Sequence, residues 1–143
     1  MSTEPNVKQA IPFFGVENIQ ASLRFYVDGI GFEMTHKWIH EGKLRWCSLR
    51  LGEASLMLQE FWTEGPHQGR PDGILGLGVS ICFVCEDALK IYHEVKTRGL
   101  DPSRPFVGNG MWVTSLTDPD GYRIDFESFT DVPEDTVYSD QNQ

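Results

Sequence analysis

The chain repeats itself. Val16-Glu17-Asn18 followed by Leu23-Arg24-Phe25-Tyr26 parallels Val84-Cys85-Glu86-Asp87 followed by Leu89-Lys90-Ile91-Tyr92. Further on, the turn Leu51-Gly52-Glu53-Ala54 and the alternating Ser55-Leu56-Met57-Leu58-Gln59 match Asp118-Pro119-Asp120-Gly121 and Tyr122-Arg123-Ile124-Asp125-Phe126-Glu127. Superposed, Leu56 falls on Ile124, Met57 on Asp125, Leu58 on Phe126 and Gln59 on Glu127. A repeat constrains architecture before composition does, because each copy must form the same supersecondary unit. The pattern predicts two modules of roughly 50–60 residues, each a strand, a helix and a meander.

Local signals place the elements. Lys8 to Gly15 reads as a first strand, with Pro12 marking an edge or irregular position. Asn18 is an N-cap for a helix carrying Ile19, Leu23, Tyr26, Val27 and Ile30, which Gly29 and Gly31 stop. Phe32 to His40 and Leu44 to Leu51 form a hairpin about Glu41-Gly42-Lys43, and Ser55 to Phe61 completes the module. Val79 to Cys85 opens the second module, Asp87 caps its helix, Gly99 ends it and Asn109-Gly110 makes a hairpin turn. The reading is a single α+β domain over residues 1–143: module 1 at about 8–61, a Gly- and Pro-rich linker at 62–78, module 2 at about 79–128 and a tail at 129–143.

Composition narrows the function classes. The net charge of −9 disfavours non-specific nucleic-acid binding, which depends on basic side chains neutralising phosphates. Much of that excess lies late, with eight acids and one base from Asp118 onward, so a mobile, solvated acidic tail is expected after Asp131. No long apolar run suggests a membrane span and no amino-terminal pattern suggests a signal peptide. Three cysteines are too few for a disulfide scaffold, so a reducing cytoplasm is the expected setting. Cys82-Phe83-Val84-Cys85 has redox-motif spacing, yet in an extended strand its two thiols point to opposite faces. His36 and His40 are separated by about 13 Å along a strand, too far to share one ion. His93 falls off the apolar stripe of its helix and reads as solvated, and nothing near His67 in the linker indicates a role.

The repeat, the opening phrase Val16-Glu17-Asn18-Ile19-Gln20-Ala21-Ser22-Leu23-Arg24-Phe25-Tyr26 and the ending Asp-Pro-Asp-Gly-Tyr-Arg-Ile-Asp-Phe-Glu together resemble the vicinal oxygen chelate superfamily. Glyoxalase I, extradiol dioxygenases and bleomycin-resistance proteins belong to it, and the likeness spans about residues 8–128. It implies tandem βαβββ modules whose eight strands form a mixed sheet curled into a cup, with helices outside and the ligand inside. In the metal-dependent branches each of four cup-lining strands supplies one ligand. Those positions fall here at Ile11, Met57, Ser80 and Asp125, of which only Asp125 has suitable chemistry, so no metal and no cofactor are expected. The metal-free bleomycin-resistance branch is the nearest in character, and it implies a homodimer.

Trp46 and Ser48, in phase with one another, are expected to face the cup, as are Met57, Gln59 and Phe61 from the next strand. Trp112 joins them as a candidate stacking surface, and Arg123, Asp125 and Glu127 share one face of the last strand. Apolar walls with a few charges suit a small organic ligand, and indole faces suit planar groups or cations. Two classes of function fit: sequestration of an aromatic or cationic compound, or a glyoxalase-like or dioxygenase-like enzyme in which Asp125 or Glu127 is a general base.

Overall fold

The computed structural model describes residues 3–140. The first module runs β1 (Phe13–Val16), α1 (Ile19–Leu23) with a π-helical continuation (Arg24–Ile30), β2 (Glu33–His40), β3 (Lys43–Leu51) and β4 (Ala54–Glu60). The second runs β5 (Ser80–Val84), α2 (Ala88–Thr97), β6 (Phe106–Gly108), β7 (Met111–Thr117) and β8 (Arg123–Phe129). The eight strands divide into two four-stranded mixed sheets of matching order, β1-β4-β3-β2 and β5-β8-β7-β6. In each, the first strand pairs in parallel with the last, and the other neighbours are antiparallel. The α+β repeat is thus realised as two open sheets with no closed barrel.

The caps hold as read. Asn18 accepts from the Ala21 amide and Asp87 from the Lys90 amide, each satisfying a donor the first helical turn leaves free. Both central residues of the β6–β7 hairpin, Asn109 and Gly110, have positive φ, the twist that matches paired strands. Two boundaries differ from expectation. The first strand starts at Phe13 rather than Lys8, because only Phe13 to Val16 find partners on β4. Gly29 does not stop the first helix: it lies buried within it, where a Cβ would come 2.6 Å from Leu100, and the left-handed Gly31 is the stop.

Alternation along the strands splits each sheet into two faces. Leu56 and Leu58 of β4, and Ile124 and Phe126 of β8, point to the helices and join Val16, Tyr26, Phe32, Leu49 and Val95 in one core. That core crosses between modules: Phe14 stacks on Tyr122 with centroids 4.1 Å apart, and Phe32 meets Phe83 edge-on at 5.8 Å. Among the described residues no helix covers the opposite faces.

The segment after Asp131 is not a solvated tail as far as Asp140. Val137 bridges to Phe106, the Tyr138 amide donates to the Pro105 carbonyl at 2.8 Å, and Tyr138 is buried. The Glu134 carboxylate accepts from the Asn109 and Gly110 amides. One aromatic anchor and one hairpin cap suffice to dock a stretch that composition marks as polar. No helix among the described residues is long and apolar enough to cross a membrane.

Candidate functional site

On the helix-free face of the first sheet, strand register sets side chains in two rows. Gly15, Gln59, Trp46 and Trp38 are successive partners across β1, β4, β3 and β2. Phe13, Met57, Ser48 and His36 form the next row. Cross-strand partners share a face, so Trp46, Ser48, Met57 and Gln59 lie together as their spacing predicts. Phe61 joins them by lying over Gly15, where a Cβ would stand 2.5 Å from its ring. Only a glycine lets that ring rest on the strand backbone. Phe13, Gln59, Phe61, Trp62 and His67 line a cleft of about 440 Å³ above it, which gives His67 a place the sequence did not suggest.

A buried ion pair beneath fixes this cleft. Arg45 and Glu60 are each over nine-tenths buried. The Arg45 guanidinium donates to Glu60 Oε1 at 3.2 Å and to the carbonyls of Glu60 and Phe61 at 3.2 and 3.1 Å, with its carbon 4.0 Å from the Trp62 ring centre. Glu60 Oε2 in turn accepts from the Ile19 amide at 3.0 Å, and Lys43 Nζ stands 2.5 Å from Oε1. Burial pushes the Glu60 carboxyl up, but the Ile19 amide and the Lys43 and Arg45 cations outweigh it and hold the group below the ordinary carboxylate range. The chain leaving β4 is clamped at both carbonyls, which sets the poses of Phe61 and Trp62. Sequence reasoning missed this pair, although Arg45 is in phase with core-facing Cys47 and Leu49, and Glu60 with Leu56 and Leu58.

The helix-free face of the second sheet carries the other predicted group. Ser80, Cys82 and Val84 pair with Arg123, Asp125 and Glu127, so the three ionisable residues of β8 do share one face. Asp125 is buried and its Oδ1 accepts from Arg123 Nε at 3.0 Å, while Arg123 Nη2 reaches Ser115 Oγ at 3.3 Å. The Cys82 thiol donates to Glu127 Oε2. Burial, then that hydrogen bond and the Glu127 charge, push the Cys82 thiol up to about 12, so it is a protonated donor rather than a thiolate nucleophile. Cys85 lies past the end of β5 with its thiol toward the Glu127 carbonyl at 3.6 Å.

Trp112 stands elsewhere. It pairs with Ser128 of β8, in phase with Thr114 opposite Phe126 and Leu116 opposite Ile124, and therefore lies on the helix side. Its neighbours are Tyr138, with centroids 5.9 Å apart, and the outer surface of α2. His93, expected to be solvated, meets the Tyr138 hydroxyl through Nε2 at 2.9 Å.

The four positions corresponding to a metal centre do not fit a divalent ion. Ile11 offers no donor, Met57 a thioether and Ser80 a neutral hydroxyl, while the Asp125 carboxylate is engaged by Arg123. Among the described residues no group of three or more His, Cys, Asp or Glu side chains could hold a metal ion. The polar groups present can donate, accept and pair with charge, and the exposed rings can stack.

Solved structures share this architecture at low identity. A glyoxalase/bleomycin resistance protein from Streptomyces sp. CB03234 is 20% identical over 83% of this chain and 98% of its own, with a TM-score of 0.63. TnmS3, an antibiotic-binding protein from the same organism, is 16% identical over 89% of this chain and 100% of its own, with a TM-score of 0.62. A glyoxylase/bleomycin resistance protein/dioxygenase domain from Frankia sp. EAN1pec is 14% identical, covering 88% and 100% of the two chains at a TM-score of 0.67. No curated protein sequence matches the chain. The model of one family matches residues 10–126, both modules included: the chain belongs to the Glyoxalase/Bleomycin resistance protein/Dioxygenase superfamily.

Proposed function

We propose that this protein is a metal-independent binder that sequesters an aromatic or cationic small molecule on its helix-free sheet faces, acting as a homodimer in a reducing cytoplasm. The observation that carries this reading is the uncovered aromatic and aliphatic surface of those faces. Phe13, Trp38, Val84 and Phe129 are 55%, 45%, 67% and 79% exposed, beside half-buried Trp46, Gln59 and Glu127. Surface of that kind marks an interaction site. Indole and phenyl faces stack planar groups and attract cations, and Glu127 supplies a negative charge that Cys82 solvates without neutralising. Asp125 contributes less, because Arg123 already balances it. The donor set at the four family positions favours binding over Lewis-acid chemistry. The antibiotic-binding protein of the same fold supports the class of function, not a particular ligand. A twofold dimer would cover the exposed faces and enclose two equivalent pockets.

Calorimetric titration with bleomycin and a panel of aromatic cations, before and after dialysis against a chelator, tests the reading. Binding tighter than millimolar that survives chelation is the expected result. If nothing binds, while a methylglyoxal–thiol adduct or a catechol is consumed after Ni, Zn, Fe or Mn is added, the protein is an enzyme and this reading falls.

A further inference from the structure

A large apolar groove lies on the helix side of the second sheet, between α2 and the segment that follows β8. It encloses about 840 Å³, within the range of small-molecule sites. Trp112 of β7 forms its floor, Leu89 and His93 of α2 one wall, and Val132, Val137 and Tyr138 the other. The two walls are joined at one end by the His93 Nε2 to Tyr138 hydroxyl contact of 2.9 Å. Trp112 stands perpendicular to Tyr138, leaving aromatic surfaces at right angles to one another.

The second wall is built, not draped. Val107 donates to the Thr136 carbonyl and accepts from the Asp135 amide, both at 2.9 Å. Arg104 Nη1 donates to the Tyr138 carbonyl at 3.2 Å, and the Glu134 carboxylate caps the neighbouring hairpin. This segment therefore extends the edge of the second sheet and holds Tyr138 in place. The charged groups along the α2 wall are engaged internally. The Asp87 carboxylate caps the helix through the Lys90 amide at 3.0 Å, and Lys90 Nζ lies 3.9 Å from Glu94 Oε1, with Arg98 on Oε2 at the same distance. The Lys90 and Glu94 charges thus offset one another, and the Asp87 carboxylate is turned to its helix cap.

We propose that this groove is a second ligand site, separate from the sheet-face site, for a neutral planar aromatic molecule carrying one hydrogen-bonding group. The rings of the ligand lie on Trp112 between Leu89 and Val137. Its polar group meets the His93–Tyr138 pair, which can offer either a donor or an acceptor because the imidazole has two neutral tautomers.

Fluorescence and amide-shift titrations of the full chain with naphthalene and 2-naphthol test this. The expected result is that 2-naphthol binds several-fold more tightly than naphthalene, the difference one hydrogen bond makes. Amide shifts should centre on α2 and residues 132–139. Trp112→Ala should weaken both probes at least tenfold, and Tyr138→Phe should erase the advantage of 2-naphthol. Since Trp112→Ala removes packing area from β7, Leu89→Trp serves as the second variant, filling the groove from its half-buried wall. It should abolish binding while leaving the melting temperature within a few degrees. Trp46→Ala, on the helix-free face of the first sheet, should leave the probe-induced shifts of α2 and residues 132–139 unchanged, so this site and the sheet-face site can fail independently. Binding lost in Trp46→Ala but kept in Leu89→Trp would assign the probes to the sheet face and overturn the proposal. So would the absence of any shift in the groove at millimolar probe. If Leu89→Trp instead changed the oligomeric state, the groove would be a contact between copies of the chain, and the proposal would fall.

Discussion

The Tyr26 hydroxyl donates to Asp118 Oδ2 at 2.7 Å, tying the helix of the first repeat to the turn that launches the last strand of the second. Asp118 Oδ1 accepts from the Asp120 and Tyr122 amides, both at 2.9 Å, so one carboxylate organises the Asp-Pro-Asp-Gly turn and joins the modules. Gly121 completes that turn with a φ of 100°. Burial raises the Asp118 carboxyl, and its three hydrogen bonds pull it only part of the way back.

A carboxyl whose folded value lies above its unfolded value binds protons more readily when folded. Its stabilising contribution is complete below about pH 4, the unfolded value, and is lost as pH rises through the folded value. Asp118→Asn keeps an acceptor for the two turn amides and removes the titration. The melting temperature of the wild type relative to this variant should therefore rise as pH falls from 7 to 4. Tyr26→Phe leaves a buried carboxylate oxygen short of a partner and should cost about 1–3 kcal/mol in denaturant titrations.

Glu60 should behave in the opposite sense. Its carboxyl is held below the ordinary range, so its contribution is present above the unfolded value and lost as pH falls through the folded one. Glu60→Gln strands the buried Arg45 cation and should cost on the order of 3 kcal/mol at neutral pH. Lys43→Met removes only an exposed partner and should change stability by less than about 1 kcal/mol.

Gly15→Ala should be damaging although its backbone is unstrained, because the new methyl meets the Phe61 ring. Overpacking of this kind costs about 1–3 kcal/mol. Adding Phe61→Leu should restore the melting temperature and at the same time weaken any ligand held in the cleft.

For a bound aromatic cation, Trp46→Ala should lower affinity on the order of tenfold or more, since a desolvated cation–aromatic contact is worth about 2 kcal/mol. Glu127→Gln should weaken the cation and spare a neutral analogue. Asp125→Asn releases the Arg123 guanidinium and should weaken the cation through repulsion. Calorimetry on matched charged and neutral ligands separates the three.

Light scattering at micromolar concentration should report a dimer. Placing charge on both exposed sheet faces, with Phe13→Lys and Phe129→Lys, should shift the mass toward that of one chain if those faces meet across a twofold axis.

What the sequence revealed was largely what neighbours in the chain decide. Asn18 and Asp87 cap helices through side-chain reach of three residues, and Asn109-Gly110 selects its turn through φ alone, so a local reading suffices. The repeat added the topology. Trp112 was misplaced because Met111 to Thr117 carries apolar residues and hydroxyls in both phases, and only pairing with β8 decides which phase meets the helices. Tyr138 was lost in a polar stretch because its anchors, Pro105, Arg104 and His93, lie far away in sequence. The Arg45–Glu60 pair was hidden differently. Its phase pointed inward, but a single strand does not disclose that its neighbour carries the opposite charge.

The parallel pairing of first and last strands in each module also orders events during synthesis. While β2, β3 and β4 can zip as local hairpins, β1 has no partner until β4 has left the ribosome, and β5 waits in the same way for β8. The nascent chain thus carries an unpaired edge twice, each time for the length of a module. Because β8 follows the turn built around Asp118, its arrival closes the second sheet and completes the Tyr26 contact to the first. Only then does the turn around Asp118 link the two repeats.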